Sequence, residues 1–180
     1  MACNSLSSLP RACSDGSLGG VNKVYIIAYK DLATIVGAND VFSASTSGIV
    51  NAVGLASGKT YVEIGLLKDT SGLTEKLTKD NTKGTNFFTQ TFSLVLGDIT
   101  PTNTQFIQDV KGQPVSVIYK TRTNAYFILG LNGQFEITTI EGGTGVASAD
   151  LIGHTCSFEG ISSGTAQLLD PSIVASLIAA

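Results

Sequence analysis

Residues 87–96 (FFTQTFSLVL) alternate between apolar and polar positions. Phe88, Phe92, Leu94 and Leu96 share one face with Gln90, and Thr89, Thr91 and Ser93 occupy the other. A period of two predicts a strand with one buried and one wet face, as antiparallel sheets permit. Residues 115–120 (VSVIYK), 125–131 (AYFILGL) and 134–140 (QFEITTI) follow at short intervals. Asn132-Gly133 between the last two predicts a type I′ hairpin, which needs positive φ at both central residues. Thr123-Asn124 supplies the turn before it, so the three segments read as a meander. Residues 23–29 (KVYIIAY) and 61–67 (YVEIGLL) are apolar on nearly both faces, as central strands are. Later, 151–161 (LIGHTCSFEGI) places Ile152, His154, Cys156 and Phe158 on one side.

One helix is well signalled, at about 101–111. Thr100 can cap it, Pro101 suits its first position, and Phe106, Ile107 and Val110 form its apolar stripe. Gly112 then ends the helix and Pro114 forbids its continuation. The expected architecture is mainly β with one packed helix. Residues 1–20 form an N-terminal arm, 21–171 a single β-rich domain, and 172–180 a C-terminal tail that can add a short helix. Two segments, 38–60 and 68–86, fit no element and read as long loops rich in Gly, Ser and Thr. Loops of such length are usually functional or disordered. Val41, Phe42, Ile49, Val50, Val53 and Leu55 make the first too apolar for a free segment, so it wants a partner, such as a hairpin pairing with another subunit.

Composition sharpens this picture. Only 14% of the 180 residues are charged, against about 25% in an average soluble domain. Small polar residues take their place, with 20 Gly, 20 Thr and 18 Ser. A net charge of −3 argues against nucleic-acid binding through bulk positive charge. Every Lys and Arg lies at or before Arg122, whereas Glu136, Glu141, Asp150, Glu159 and Asp170 follow it. Such asymmetry reads either as a chance distribution over one folded surface or as a subunit presenting opposite charges at two faces, which would favour ordered head-to-tail contacts. No apolar stretch reaches the ~20 residues of a membrane span. The N-terminus lacks a secretory pattern, so the expectation is synthesis in the cytoplasm with reduced cysteines.

Catalytic and metal chemistry finds little support. Residues 54–60 (GLASGKT) imitate a phosphate loop, but three residues separate the glycines where four are required, and Val53 stands where glycine should. Residues 141–145 (EGGTG) read as a turn. Cys3, Cys13, His154 and Cys156 are possible zinc ligands in type but not in spacing, and burial is the simpler reading of His154 and Cys156. Cys3 and Cys13 could pair only in an oxidising setting. No acid or oxyanion donor can be assigned to a Cys/His nucleophile. The reading is of a protein that is not an enzyme, with no catalytic, metal or cofactor site.

Residues 12–29 (ACSDGSLGGVNKVYIIAY) resemble the amino-terminal segment of structural proteins from tailed phages of Bacteroidetes, where a Cys-x-Asp stretch and a Gly-Gly lead into a Lys-Val-Tyr strand. Residues 113–169 are similar to the C-terminal half of such virion proteins, through PVSVIYKTRTNAYFILGLNGQFEITT and EGGTGVASADLIGHTCSFEGISSGTAQLL. The resemblance is to tail tube (major tail) proteins. It implies an antiparallel β-sandwich or rolled sheet with one packed helix, and loops or an arm that bridge rings. It further implies that the chain's main partner is itself, side by side in rings and head to tail in stacks, together with other tail or connector proteins of the virion. DNA would pass through the lumen without specific binding, no membrane would be involved, and assembly would occur in the host cytoplasm. On this reading the strands between 113 and 140 supply part of the ring wall. A connector or tail-completion ring, or a capsid auxiliary (decoration) protein, is the alternative the same resemblance allows.

Overall fold

The computed structural model describes residues 19–35, 37, 40–147 and 150–178. The strands are β1 (Val21–Ala28), β2 (Phe42–Ala44), β3 (Val50–Val53), β4 (Val62–Ile64), β5 (Gly72–Asp80), β6 (Thr85–Gly97), β7 (Val115–Thr121), β8 (Tyr126–Leu129), β9 (Phe135–Gly143), β10 (Gly153–Ser162) and β11 (Gln167–Leu169). Helix α1 spans Pro101–Val110 and α2 spans Pro171–Leu177. A seven-stranded sheet has the order β2-β3-β11-β8-β7-β1-β4, and a four-stranded sheet the order β5-β6-β10-β9. Pairing is antiparallel except between β3 and β11. This is the sandwich expected.

Two apolar layers hold it together. Between the sheets, Val24, Ile26, Val117 and Tyr119 meet Phe92, Leu94, Cys156 and Phe158, with Ile107 and Val110 of α1 closing one side. On the far face of the larger sheet, Tyr25, Ile27, Ile118 and Ile128 meet Val174 and Leu177 of α2. Successive residues of β1 and β7 are therefore buried on opposite faces, which explains their lack of alternation. Each fully buried Phe, Leu or Ile side chain contributes roughly 1.5–3 kcal/mol.

Helix α1 follows its sequence signals. The Thr100 hydroxyl accepts a bond from Asn103 N at 3.2 Å, Pro101 opens the first turn, and Gly112 takes φ +77° beyond the end. The segment expected as a tail contributes a helix: α2 begins at Pro171, is capped by Asp170 and buries Val174 and Leu177. The arm at 1–20 is described only from residue 19, so Cys3 and Cys13 lie outside the described residues.

Four expectations are corrected. The segment 38–60 contains a hairpin, β2–β3, but it pairs with β11 of its own chain, and Val50 is fully buried in the second core. Its apolar residues thus find their partner within the chain itself. The segment 68–86 is no loop either. It forms β5, the turn 81–84 and the start of β6, with Asp80 Oδ1 accepting from Thr82 N and Lys83 N and Gly84 at φ +66°. Residues 61–67 are not a central strand, because β4 is three residues long and forms an edge, with Val62 56% exposed. The meander is broken at Asn132-Gly133, where β8 and β9 enter different sheets. Asn132 keeps negative φ while Gly130 and Gly133 take +76° and +71°. The turn is therefore not type I′ and does not carry the twist of a two-stranded hairpin. Asn132 Nδ2 donates to Ile161 O, tying this corner to β10 instead.

Candidate functional site

The motifs that imitate chemistry have structural roles. Gly54 donates its N–H to Val41 O at 2.8 Å and accepts at its carbonyl from Ala33 N at 3.0 Å, and any Cβ there would collide with Ala33 O. Lys59 pairs with Asp31 at 3.4 Å, and the chain then enters Tyr61 and β4 rather than a helix. Residues 54–60 therefore form a packed bend and not a phosphate cradle. A Cβ at Gly142 would collide with the His154 ring at Nδ1, and Gly145 (φ +68°) sits in the turn held by Asp150, whose Oδ2 accepts from Val146 N and Ala147 N at 2.8 Å.

His154 and Cys156 project to the same face of β10, toward the inter-sheet core. Cys156 is fully buried, and burial pushes its thiol up to about 11, so at neutral pH it is a protonated core residue and not a thiolate nucleophile. His154 Nε2 is buried and has no hydrogen-bond partner among the described residues. Among the described residues no group of three or more His, Cys, Asp and Glu side chains could hold a metal ion.

The distinctive surface is the four-stranded sheet. Its inner face carries Phe92, Leu94, Cys156 and Phe158, so alternation sends the intervening residues outward. These are Thr74 and Lys76 on β5, Thr89, Thr91, Ser93 and Val95 on β6, Thr155, Ser157, Glu159 and Ile161 on β10, and Glu136, Thr139 and Glu141 on β9. None of these residues belongs to either apolar core. The face is thus hydroxyl-rich, with Lys76 near one edge and acids near the other. Glu136 and Glu159 stand directly opposite each other across β9 and β10.

Both edges of this sheet are long. Strands β5 and β9 are nine residues each, whereas the edges of the larger sheet, β2 and β4, are three each. Three successive antiparallel pairings leave β5 and β9 running in opposite directions. The strands expected to form a wall, 113–140, divide between the sheets: β7 and β8 lie in the sheet buried on both faces, and only β9 borders the open face. Sequence reasoning missed β5 because Glu75 interrupts its Leu73-x-x-x-Leu77 row. That carboxylate, exposed on the edge strand, accepts from Gln90 Nε2 at 2.8 Å and from Ala166 N at 2.6 Å.

No protein-family model, curated protein or solved structure matches the chain.

Proposed function

We propose that the chain is a structural subunit of a phage tail tube, whose copies join side by side into rings that stack into a conduit for DNA. The observation that carries this reading is the four-stranded sheet, with one face in the core, the other rich in hydroxyls and acids, and two nine-residue edge strands of opposite direction whose outer sides pair with no strand among the described residues. Placing β9 of one copy beside β5 of the next continues the antiparallel alternation without limit. A heterologous contact of this kind closes into a ring when its rotation permits. At ~4.8 Å between neighbouring strands, each copy contributes about 19 Å of wall.

The open face suits a lumen. Its Thr and Ser hydroxyls are uncharged, and Glu136, Glu141 and Glu159 outnumber Lys76. Phosphates are repelled from such a wall and not held, whereas clustered lysines would bind them through counterion release. The test is solution mass measurement with electron microscopy of the purified protein. Rings and tubes are expected, and monomers under every condition would refute the proposal. Rings that never stack would favour the connector reading.

A further inference from the structure

We infer that the tip of the β5–β6 hairpin of one copy seats on the opposite end of the small sheet of the next copy, around Ile99 and Ile152. This inference rests on the ring reading only for the rings it joins. The contact itself is argued from the two ends of one strand.

Strand β6 runs thirteen residues, roughly 40 Å, from the hairpin turn at one end of the molecule to Gly97 at the other. Its last pair with β10 toward the turn is Phe88↔Ser162, yet β5 and β6 continue through Thr78↔Phe87, Lys79↔Asn86 and Asp80↔Thr85. The tip is therefore a two-stranded ribbon standing beyond the rest of the sheet, and such ribbons are marginal in water without a partner. It carries Lys79 and Lys83 against a single carboxylate, Asp80, which lies 4.0 Å from Lys83 Nζ, and Lys76 stands behind it in the three-stranded part of the sheet. At its root Leu77 is 51% exposed.

The far end has the complementary character. Asp98 N donates to Ile152 O at 2.8 Å, which brings the β6–α1 and β9–β10 connections together. Ile99, Leu151 and Ile152 are 44%, 45% and 50% exposed there, and Val146 is fully exposed. Asp98, Glu141 and Asp150 surround them, and the β9–β10 side has no cation because the chain has none after Arg122. Gly97 and Asp98 also border a groove of about 1320 Å³ between β4 and α1, whose lining includes Leu67 and Phe106 as well as Lys30 and Lys59. A basic ribbon with an apolar root at one end faces an acidic, apolar surface at the other. A second copy in the same orientation brings the two into contact, and charge complementarity fixes its direction.

The test compares full-length wild type with Lys79→Glu/Lys83→Glu by electron microscopy and sedimentation at about 0.1 M salt, where exposed charges still interact. The double variant is expected to lose stacking and leave single rings, because Lys76 remains on the β5 edge to oppose the glutamates of β9. Glu141→Lys, damaging alone, should restore stacks when combined with it. Val146→Asp, at a fully exposed position, should cause the same loss from the receiving side. Stacks of wild-type length in both Lys79→Glu/Lys83→Glu and Val146→Asp would overturn this inference while leaving the ring reading intact. Threads without rings would support the end contact and overturn the ring reading. Wild type that forms neither rings nor threads would overturn both.

Discussion

Tyr61 and Ser116 offer a quantitative test of how the second core is held. Both are fully buried, with their hydroxyls 2.9 Å apart, and Ser116 Oγ lies 2.8 Å from Leu129 O. Ser116 donates to the carbonyl, so the Tyr61 hydroxyl must donate to Ser116. Tyr61 N also donates to Leu177 O at 2.8 Å, linking this network to α2. Tyr61→Phe removes one donor but leaves Ser116 bonded, a loss of about 0.5–1.5 kcal/mol. Ser116→Ala strands the tyrosine hydroxyl in the core, and an unpaired buried group costs about 1–3 kcal/mol beyond the lost bond. In the Tyr61→Phe background that stranded group no longer exists, so Ser116→Ala should cost about 1–2 kcal/mol less than in wild type. Urea unfolding of the four proteins of the cycle measures this from the midpoints at constant slope. Strict additivity would refute the shared network.

The remaining predictions concern pH and backbone. Burial raises the Tyr61, Tyr119 and Cys156 ionisations above their ordinary values, Cys156 to about 11. Their stabilising contribution is complete below the unfolded-state values and is lost as pH rises through the folded ones, so melting temperature should fall on the alkaline side. Cys156→Ala should shallow that fall between roughly pH 9 and 11, and an unchanged slope would contradict it. Asp150 and Asp170 are held below the ordinary carboxylate range by backbone N–H groups, of Ala147 and Val146 for the first and Ser172 for the second. Their contribution is present above the unfolded value and lost as pH falls through the lowered folded one, so Asp150→Asn/Asp170→Asn should flatten the acid limb of a thermal stability profile. Gly58 and Gly130 both take positive φ, +74° and +76°, but only at Gly130 would a Cβ strike backbone, at Val115 O. Gly58→Ala should therefore cost about 1–2 kcal/mol and Gly130→Ala clearly more, read from denaturant midpoints; equal losses would show that the corner between the sheets is not crowded.

Where local chemistry decides the conformation, the chain is legible. Thr100, Pro101 and Gly112 mark α1 because caps and stops act within a turn, and the alternation of 87–96 marks β6 because one of its faces is buried. What escapes is decided at a distance. Asn132-Gly133 looks like a hairpin, yet Gly130 pressed on Val115 O and Asn132 bonded to Ile161 send β9 into the other sheet. Residues 61–67 look central because Tyr61 and Leu66 are apolar, but Tyr61 packs in the second core while Leu66 packs against the first. The open face of the small sheet shows as Thr and Ser at alternate positions of β6. That β5 and β9 would be its two edges depends on long-range pairing that no local pattern encodes.

The scarcity of charge acquires a different meaning once the edges are known. Long free edges invite indiscriminate pairing, and proteins commonly guard them with charge. Here the guards differ in sign. β5 carries Lys76 and Lys79, with the exposed Glu75 carboxylate engaged by Gln90 and Ala166 and the Asp80 carboxylate by the backbone of its turn, whereas β9 carries Glu136 and Glu141 and no cation. Pairing β5 with β5 opposes lysines, and pairing β9 with β9 opposes glutamates. Like charges directly opposite each other are destabilising, and both of these symmetric contacts would end assembly at a dimer. Only β5 against β9 brings opposite signs together, and that contact leaves one free edge of each kind on every oligomer until a ring closes. A handful of charges is then enough to select among pairings, because each need only disfavour the wrong edge. Further charge on the open face would add nothing to that choice, and further lysine there would hold the DNA that the proposed tube must release.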